Sequence, residues 1–171
     1  MATSRAPQLI LWRHAEAEEL AQGESPRWTA VRRAADLDRA LTERGREQAR
    51  IIAAWLKKRM PEGTRVLSSP ARRCVETARA LTKDFEQLPA LGPDRDCGDL
   101  LGAIGWPDLG GTVLVVGHQP TLGRMAALMI TGRESDWSVK KGAVWWVARR
   151  MRGDRAEHVI RAVTAPDLAK G

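Results

Sequence analysis

Residues 112–116, TVLVV, constrain the fold of this chain more than any other stretch. The run is apolar and β-branched without polar alternation, so a strand built from it has no face to give to water. Such a strand belongs in the middle of a parallel sheet covered by helices on both sides. It ends abruptly at Gly117-His118-Gln119-Pro120, a titratable ring followed by a proline suited to a helix start. Two earlier segments share this layout. Residues 9–12 form a short apolar run that stops on Arg13-His14, and TRVLSS closes on Ser69-Pro70.

Between these strands the apolar spacing changes to that of helices. Ala49, Ile52, Ala53 and Leu56 share one face, with Thr42 as expected N-cap; Lys57, Lys58 and Arg59 followed by Pro61 end the segment. Ser69-Pro70 reads as the N-cap and first position of a second helix whose buried stripe is Ala71, Cys74, Val75, Ala78 and Leu81. Leu122, Met125, Ala126 and Met129 form a third stripe ending at Gly132. From 84 to 111 prolines and glycines interrupt any pattern, leaving one short helix near 99–104. Two late strands, 143–149 and 158–163, are expected to pair through a turn at Gly153-Asp154. Alternating strands and helices predict an α/β fold: a three-layer α/β/α sandwich with a mostly parallel sheet.

The 171 residues suit one domain, 1–171, large enough to bury a core unaided. Cys74 and Cys97 match neither a redox C-x-x-C pair nor a zinc-ligand spacing, so a reducing, cytoplasmic setting is expected. No apolar stretch reaches the length of a membrane span, and no signal segment is evident; no membrane partner is expected. The 28 Lys and Arg outnumber 21 Asp and Glu, for a formal net charge of +7 that favours anionic partners. The basic residues are scattered, with no basic and aromatic interleaving, and nucleic acid is not expected among the partners.

In a parallel sheet, ligands bind beyond the carboxyl ends of the strands. Three such ends here carry Arg13-His14, Ser68-Ser69-Pro70 with Arg72-Arg73, and Gly117-His118, so two of the three histidines and several arginines converge on one cleft. A helix N-terminus with an added guanidinium favours a phosphate-like anion. Spacing alone does not choose between Arg72 and Arg73. A metal site would need further ligands and would repel the arginines. His158, in a late strand, reads as a partly exposed strand residue.

These residues, taken with their neighbours, resemble the histidine phosphatase (phosphoglycerate mutase-like) superfamily and its short SixA-type phosphohistidine phosphatases. Arg13-His14-Ala15-Glu16 is similar to the family's R-H-G signature. Residues 38–45, DRALTERG, are similar to D-R-x-L-T-x-x-G; residues 69–78, SPARRCVETA, to S-P-x-x-R-x-x-x-T-A, which selects Arg73; and Gly117-His118-Gln119-Pro120 to V-G-H-N-P. The resemblance implies a phosphoglycerate mutase-like fold and metal-independent, cofactor-free phosphatase activity. In it His14 attacks phosphorus and becomes phosphohistidine, while Arg13, Arg73 and His118 bind the phosphoryl oxygens. The flanking cations are expected to keep His14 neutral, and its other ring nitrogen to donate to a backbone carbonyl.

Three departures accompany the resemblance. Ala15 replaces a glycine, which is harmless where φ is negative. Gln119 replaces asparagine. The 84–111 segment is too short for the insertion that carries an acidic proton donor in mutase-type members, which leaves Glu16, Glu18 and Glu24 as nearby carboxylates, Glu18 foremost. The expected substrate is a phosphorylated protein or a small phosphate compound, the shortness of the chain favouring phosphohistidine proteins. A small-molecule phosphomonoesterase and a non-catalytic phosphoryl-binding module are the alternatives. Trp55, Trp145 and Trp146 are expected to pack, with Trp28 in the loop between Glu24 and Val31 a candidate for the cleft mouth.

Overall fold

The computed structural model describes residues 6–20, 29–108 and 110–170. Its centre is a six-stranded sheet in the order β3-β2-β4-β1-β5-β6. The unalternating run becomes β4 (Thr112–Gly117), buried at every position between β1 (Gln8–Arg13) and β2 (Arg65–Ser68) and parallel to both. β3 (Glu86–Gln87) extends the parallel half on β2. On the other side β5 (Val144–Arg152) runs antiparallel to β1, and β6 (Arg155–Thr164) antiparallel to β5. These last two strands form the expected hairpin, longer than its apolar pattern indicates.

Side chains alternate across the central strands and divide the core into two layers. Leu9, Leu11, Val113 and Val115 pack with Leu100 and Ile104 of α4 (Cys97–Ile104) and with Leu122, Met125 and Ala126 of α5 (Thr121–Thr131). On the opposite face Ile10, Trp12, Leu114 and Val116 meet Ile52 and Leu56 of α2 (Glu43–Lys57) and Cys74 and Ala78 of α3 (Arg72–Leu81). The result is the α/β/α arrangement that burying both faces of TVLVV requires. Trp55 and Trp146 pack edge to face, with ring centroids 6.4 Å apart, and Trp145 lies against Trp137. Exposed His158 stacks on Trp106.

Thr42 caps α2 as expected, its hydroxyl accepting from the Gly45 amide at 2.9 Å, with Glu43 and Lys57 at the ends the helix dipole favours. α4 begins earlier than its weak apolar pattern indicates, because Asp96 and Asp99 form a capping box. α3 begins later than the Ser69-Pro70 reading: its N-cap is Ala71, which makes no side-chain cap bond. The Ser69 hydroxyl is engaged elsewhere, accepting from the Ala71 amide at 3.2 Å and facing His118. α1 (Ala30–Leu37) was not expected from the pattern, and it buries no residue. Among the described residues no helix is long and apolar enough to cross a membrane.

Candidate active site

Strand register brings the two imidazoles level. Arg13 of β1 is aligned with Gly117 of β4, so His14 and His118 leave the sheet side by side, with ring centroids 5.3 Å apart and planes at 60°. Backbone bonds carry the ladder past the strand ends, from the His14 amide to the Gly117 carbonyl at 3.1 Å and from the Ser69 amide to the Val116 carbonyl at 3.0 Å. The 139–143 segment clamps the same point from the β5 side. There the Trp12 indole donates to the Gly142 carbonyl, the Arg13 amide to the Ala143 carbonyl, and the Gly142 amide to the His14 carbonyl.

His14 is 7% exposed, and its Nδ1 lies 2.7 Å from the Ala15 carbonyl oxygen. A carbonyl only accepts, so Nδ1 carries the hydrogen and the Nε2 lone pair is free. Burial pushes the ring's pKa down to about 3; the Ala15 bond opposes that shift, and the charges of Arg73, Arg13 and Arg39 add to it. The ring is therefore neutral at neutral pH. Ala15 is fully buried and holds its backbone without positive φ, so a methyl group in place of the usual glycine hydrogen introduces no strain. Its amide donates to Thr77 Oγ1 at 3.1 Å.

His118 is held by the opposite nitrogen. Its Nε2 lies 2.8 Å from Ser69 Oγ and 3.4 Å from Cys74 Sγ, while Nδ1 lies 3.4 Å from Arg73 Nη2. A guanidinium only donates, so Nδ1 is the acceptor and Nε2–H donates to Ser69. Burial, followed by the charge of Arg73, pushes this ring's pKa to about 2. Beside it, Cys74 is fully enclosed and burial raises its thiol pKa to about 12.

The two arginines bracket the rings. Arg13 donates from Nη1 to the Val139 carbonyl at 2.6 Å; Arg73, 2% exposed, donates from Nη1 to the Asp36 carbonyl at 2.5 Å and pairs through Nη2 with Asp36 Oδ2 at 3.0 Å. Among the described residues, the Nε–H groups of both are buried without a hydrogen-bond partner. Arg72 turns outward instead, pairing with Glu76 at 2.8 Å and Asp38 at 3.6 Å. Of the loop carboxylates, Glu16 is engaged by the Thr42 hydroxyl at 3.0 Å. Glu18 is exposed and is held through its backbone, its amide donating to the Ala40 carbonyl and its carbonyl accepting from Arg39. Glu24 and Trp28 lie outside the described residues.

Sequence reasoning missed Asp36, the Ser69 link to His118 and the clamp at 139–143. Asp36 lies on the polar side of a short helix that buries no residue, and the clamp is made of backbone atoms. Thr77 was within reach through the T-A of the S-P-x-x-R-x-x-x-T-A resemblance, as the residue that supports Ala15 from the next turn of α3. Gln119 serves α5, its Oε1 accepting from the Gly123 amide and its Nε2 donating to the Trp137 carbonyl.

A mostly parallel sheet between helix layers, presenting paired arginines and neutral imidazoles at its strand ends, defines a phosphoglycerate mutase-like α/β protein. Residues 9–102 match the family model of the histidine phosphatase superfamily (branch 1), and the chain belongs to that superfamily. It is 31% identical over 137 residues to the phosphohistidine phosphatase SixA of Escherichia coli strain K12, covering 73% of this chain and 75% of that protein. Among solved structures, the protein histidine phosphatase SixA complexed with tungstate superposes with a TM-score of 0.73 at 25% identity, covering 95% of this chain and 99% of that one. A mutant of the phosphoserine phosphatase of Entamoeba histolytica in complex with phosphoserine shares the fold at a TM-score of 0.64 and 13% identity, over 95% of this chain and 98% of that one.

Proposed function

We propose that the protein is a phosphohydrolase acting through a covalent phosphohistidine on His14, with phosphohistidine borne by a protein as its substrate. The observation that carries this reading is the state of His14: a neutral ring tied at Nδ1 to the Ala15 carbonyl, its Nε2 lone pair free, and the ring within the field of Arg73 and Arg13, whose Nε–H groups find no partner among the described residues. The similarity to SixA supports the substrate class, and the tungstate complex of a SixA structure supports the binding of a phosphate-like oxyanion.

In the first step the Nε2 lone pair of His14 forms a bond to phosphorus as the bond to the leaving nitrogen breaks. That nitrogen keeps the electron pair and takes a proton. In the second step water attacks the phosphoryl group of His14, the P–N bond breaks, and inorganic phosphate leaves while the ring returns to neutral. Arg13 and Arg73 stabilise the charge that spreads over the phosphoryl oxygens, with positioning and fixed cations supplying the catalysis. Entry of a dianion raises the proton affinity of His118; a proton taken up from solvent at Nδ1 replaces the Arg73 contact there, and the imidazolium then donates to a phosphoryl oxygen. Glu18, exposed on the loop after His14, is the proposed proton donor to the leaving group.

Rapid quench with a radiolabelled phosphohistidine peptide tests the covalent step. Acid-labile label should appear on the wild type and be absent from His14→Ala, which should also lose turnover. Full turnover by His14→Ala refutes the mechanism. A substrate panel of phosphohistidine peptides, aryl phosphates and alkyl phosphates tests the substrate class, with the peptide expected to give the largest kcat/KM.

A further inference from the structure

Asp36 lies in the last turn of a helix, α1, none of whose residues is fully buried among the described residues. α1 buries no residue, so polar contacts secure its C-terminal end. Asp36 supplies three: its carbonyl accepts from Arg73 Nη1 at 2.5 Å, its Oδ2 pairs with Arg73 Nη2 at 3.0 Å, and its Oδ1 pairs with Arg39 Nε at 3.0 Å. Farther along the helix, Arg33 and Asp94 meet at 2.7 Å as two exposed side chains.

A guanidinium offers two forked edges, one from Nη1 and Nη2 at its end and one from Nε and Nη2 along its side. Asp36 occupies the whole end edge of Arg73 with two acceptors from a single residue. The side edge holds the buried, unpartnered Nε–H, and its Nη2 lies 3.4 Å from His118 Nδ1. The orientation of Arg73 about its long axis is thus set by a residue outside every motif that marks the family resemblance.

We infer that Asp36 is a positioning residue for phosphoryl binding: by taking the end edge of Arg73 it turns the side edge toward the phosphoryl group and keeps it next to His118. This rests on the phosphatase reading above. Asp36 touches no reacting atom; it acts by deciding which pair of Arg73 donors the anion meets. Without it, a nearly enclosed cation is free to rotate toward any acceptor it can find.

Full-length Asp36→Ala and Asp36→Asn test the inference, with aryl phosphate turnover, inhibition by inorganic phosphate, and the NMR signal of the Arg73 Nε–H as readouts. In Asp36→Ala, kcat/KM should fall about thirty-fold, within the range produced by misplacing a binding group by about 1 Å, and phosphate inhibition should weaken by a similar factor. The Nε–H signal should broaden through solvent exchange and sharpen again at saturating phosphate. Asp36→Asn keeps the backbone carbonyl and one side-chain oxygen as acceptors for Arg73 but loses the charge and the second carboxylate oxygen, so kcat/KM should fall only about threefold, with a shifted Nε–H signal. A purely structural role would lower the melting temperature without moving phosphate inhibition or that signal. Wild-type kinetics and an unmoved signal in either variant overturn the inference, and Asp36→Asn alone decides if Asp36→Ala does not fold. Radiolabelling of His14 separates the two failures: with label present and Asp36 variants normal, only this inference falls, whereas absence of label from the wild type removes the phosphatase reading.

Discussion

Acidification from about pH 7.5 to about pH 5 should destabilise the protein by roughly 4 kcal/mol through His14 and His118. Both folded-state pKa values lie below the ordinary 6.5, at about 3 and about 2, chiefly because burial disfavours the charged ring. At about pH 5 each ring is almost fully protonated in the unfolded chain but neutral in the folded one, so the unfolded state binds about one extra proton per ring. Stability therefore begins to fall as pH drops through 6.5, at up to about 1.4 kcal/mol per pH unit per ring, and continues to fall toward the folded pKa values. Integrated down to about pH 5, that is about 2 kcal/mol for each ring. Burial also lowers the pKa of His158, which adds to the slope in the same direction. His14→Gln isolates one ring: the variant should lose about 2 kcal/mol less than the wild type over the same interval. Urea unfolding at a series of pH values measures both. A wild-type stability that does not change between the two limits, or a slope unaltered in His14→Gln, refutes the claim that the ring is buried neutral.

Two substitutions probe the support of the His14 loop. A Cβ on Gly45 would stand 1.9 Å from the Glu16 carbonyl oxygen, so Gly45→Ala must displace the loop after His14; a loss of about 1–3 kcal/mol in thermal unfolding is expected, with reduced turnover. The same change at Gly102, where a Cβ meets nothing within 4 Å, serves as the control and should be neutral or stabilising. Thr77→Val leaves the buried Ala15 amide without its acceptor. Urea unfolding should show a cost of about 1–3 kcal/mol, and hydrogen exchange at Ala15 should accelerate.

What could be read from the residues followed apolar burial. TVLVV, the stripes of α2, α3 and α5, and the strand-end placement of Arg13, His14 and His118 all leave a period or an abrupt stop in the sequence. Elements that bury nothing were harder to read. α1 has an apolar side, Ala30, Val31, Ala34 and Ala35, but it is short and left unburied, and β3 is two exposed residues, Glu86 and Gln87, defined by pairing alone. Ser69 misled by chemistry: a hydroxyl before a proline looks like a helix cap, yet here its oxygen also meets the His118 ring, and the helix starts past it. Arg72 and Arg73 are identical in type and adjacent, so only the turn of the helix separates the enclosed guanidinium from the outward one.

The clamp at 139–143 has a bearing on biosynthesis. His14 leaves the ribosome before β4 and β5 do, yet β1 lies between those two later strands. The Gly142 amide and the Ala143 carbonyl, which grip His14 and Arg13, emerge long after the residues they hold. A polypeptide stalled before that point carries His14 with these backbone partners still missing, so the ring reaches its native setting only once the 139–143 segment has been made.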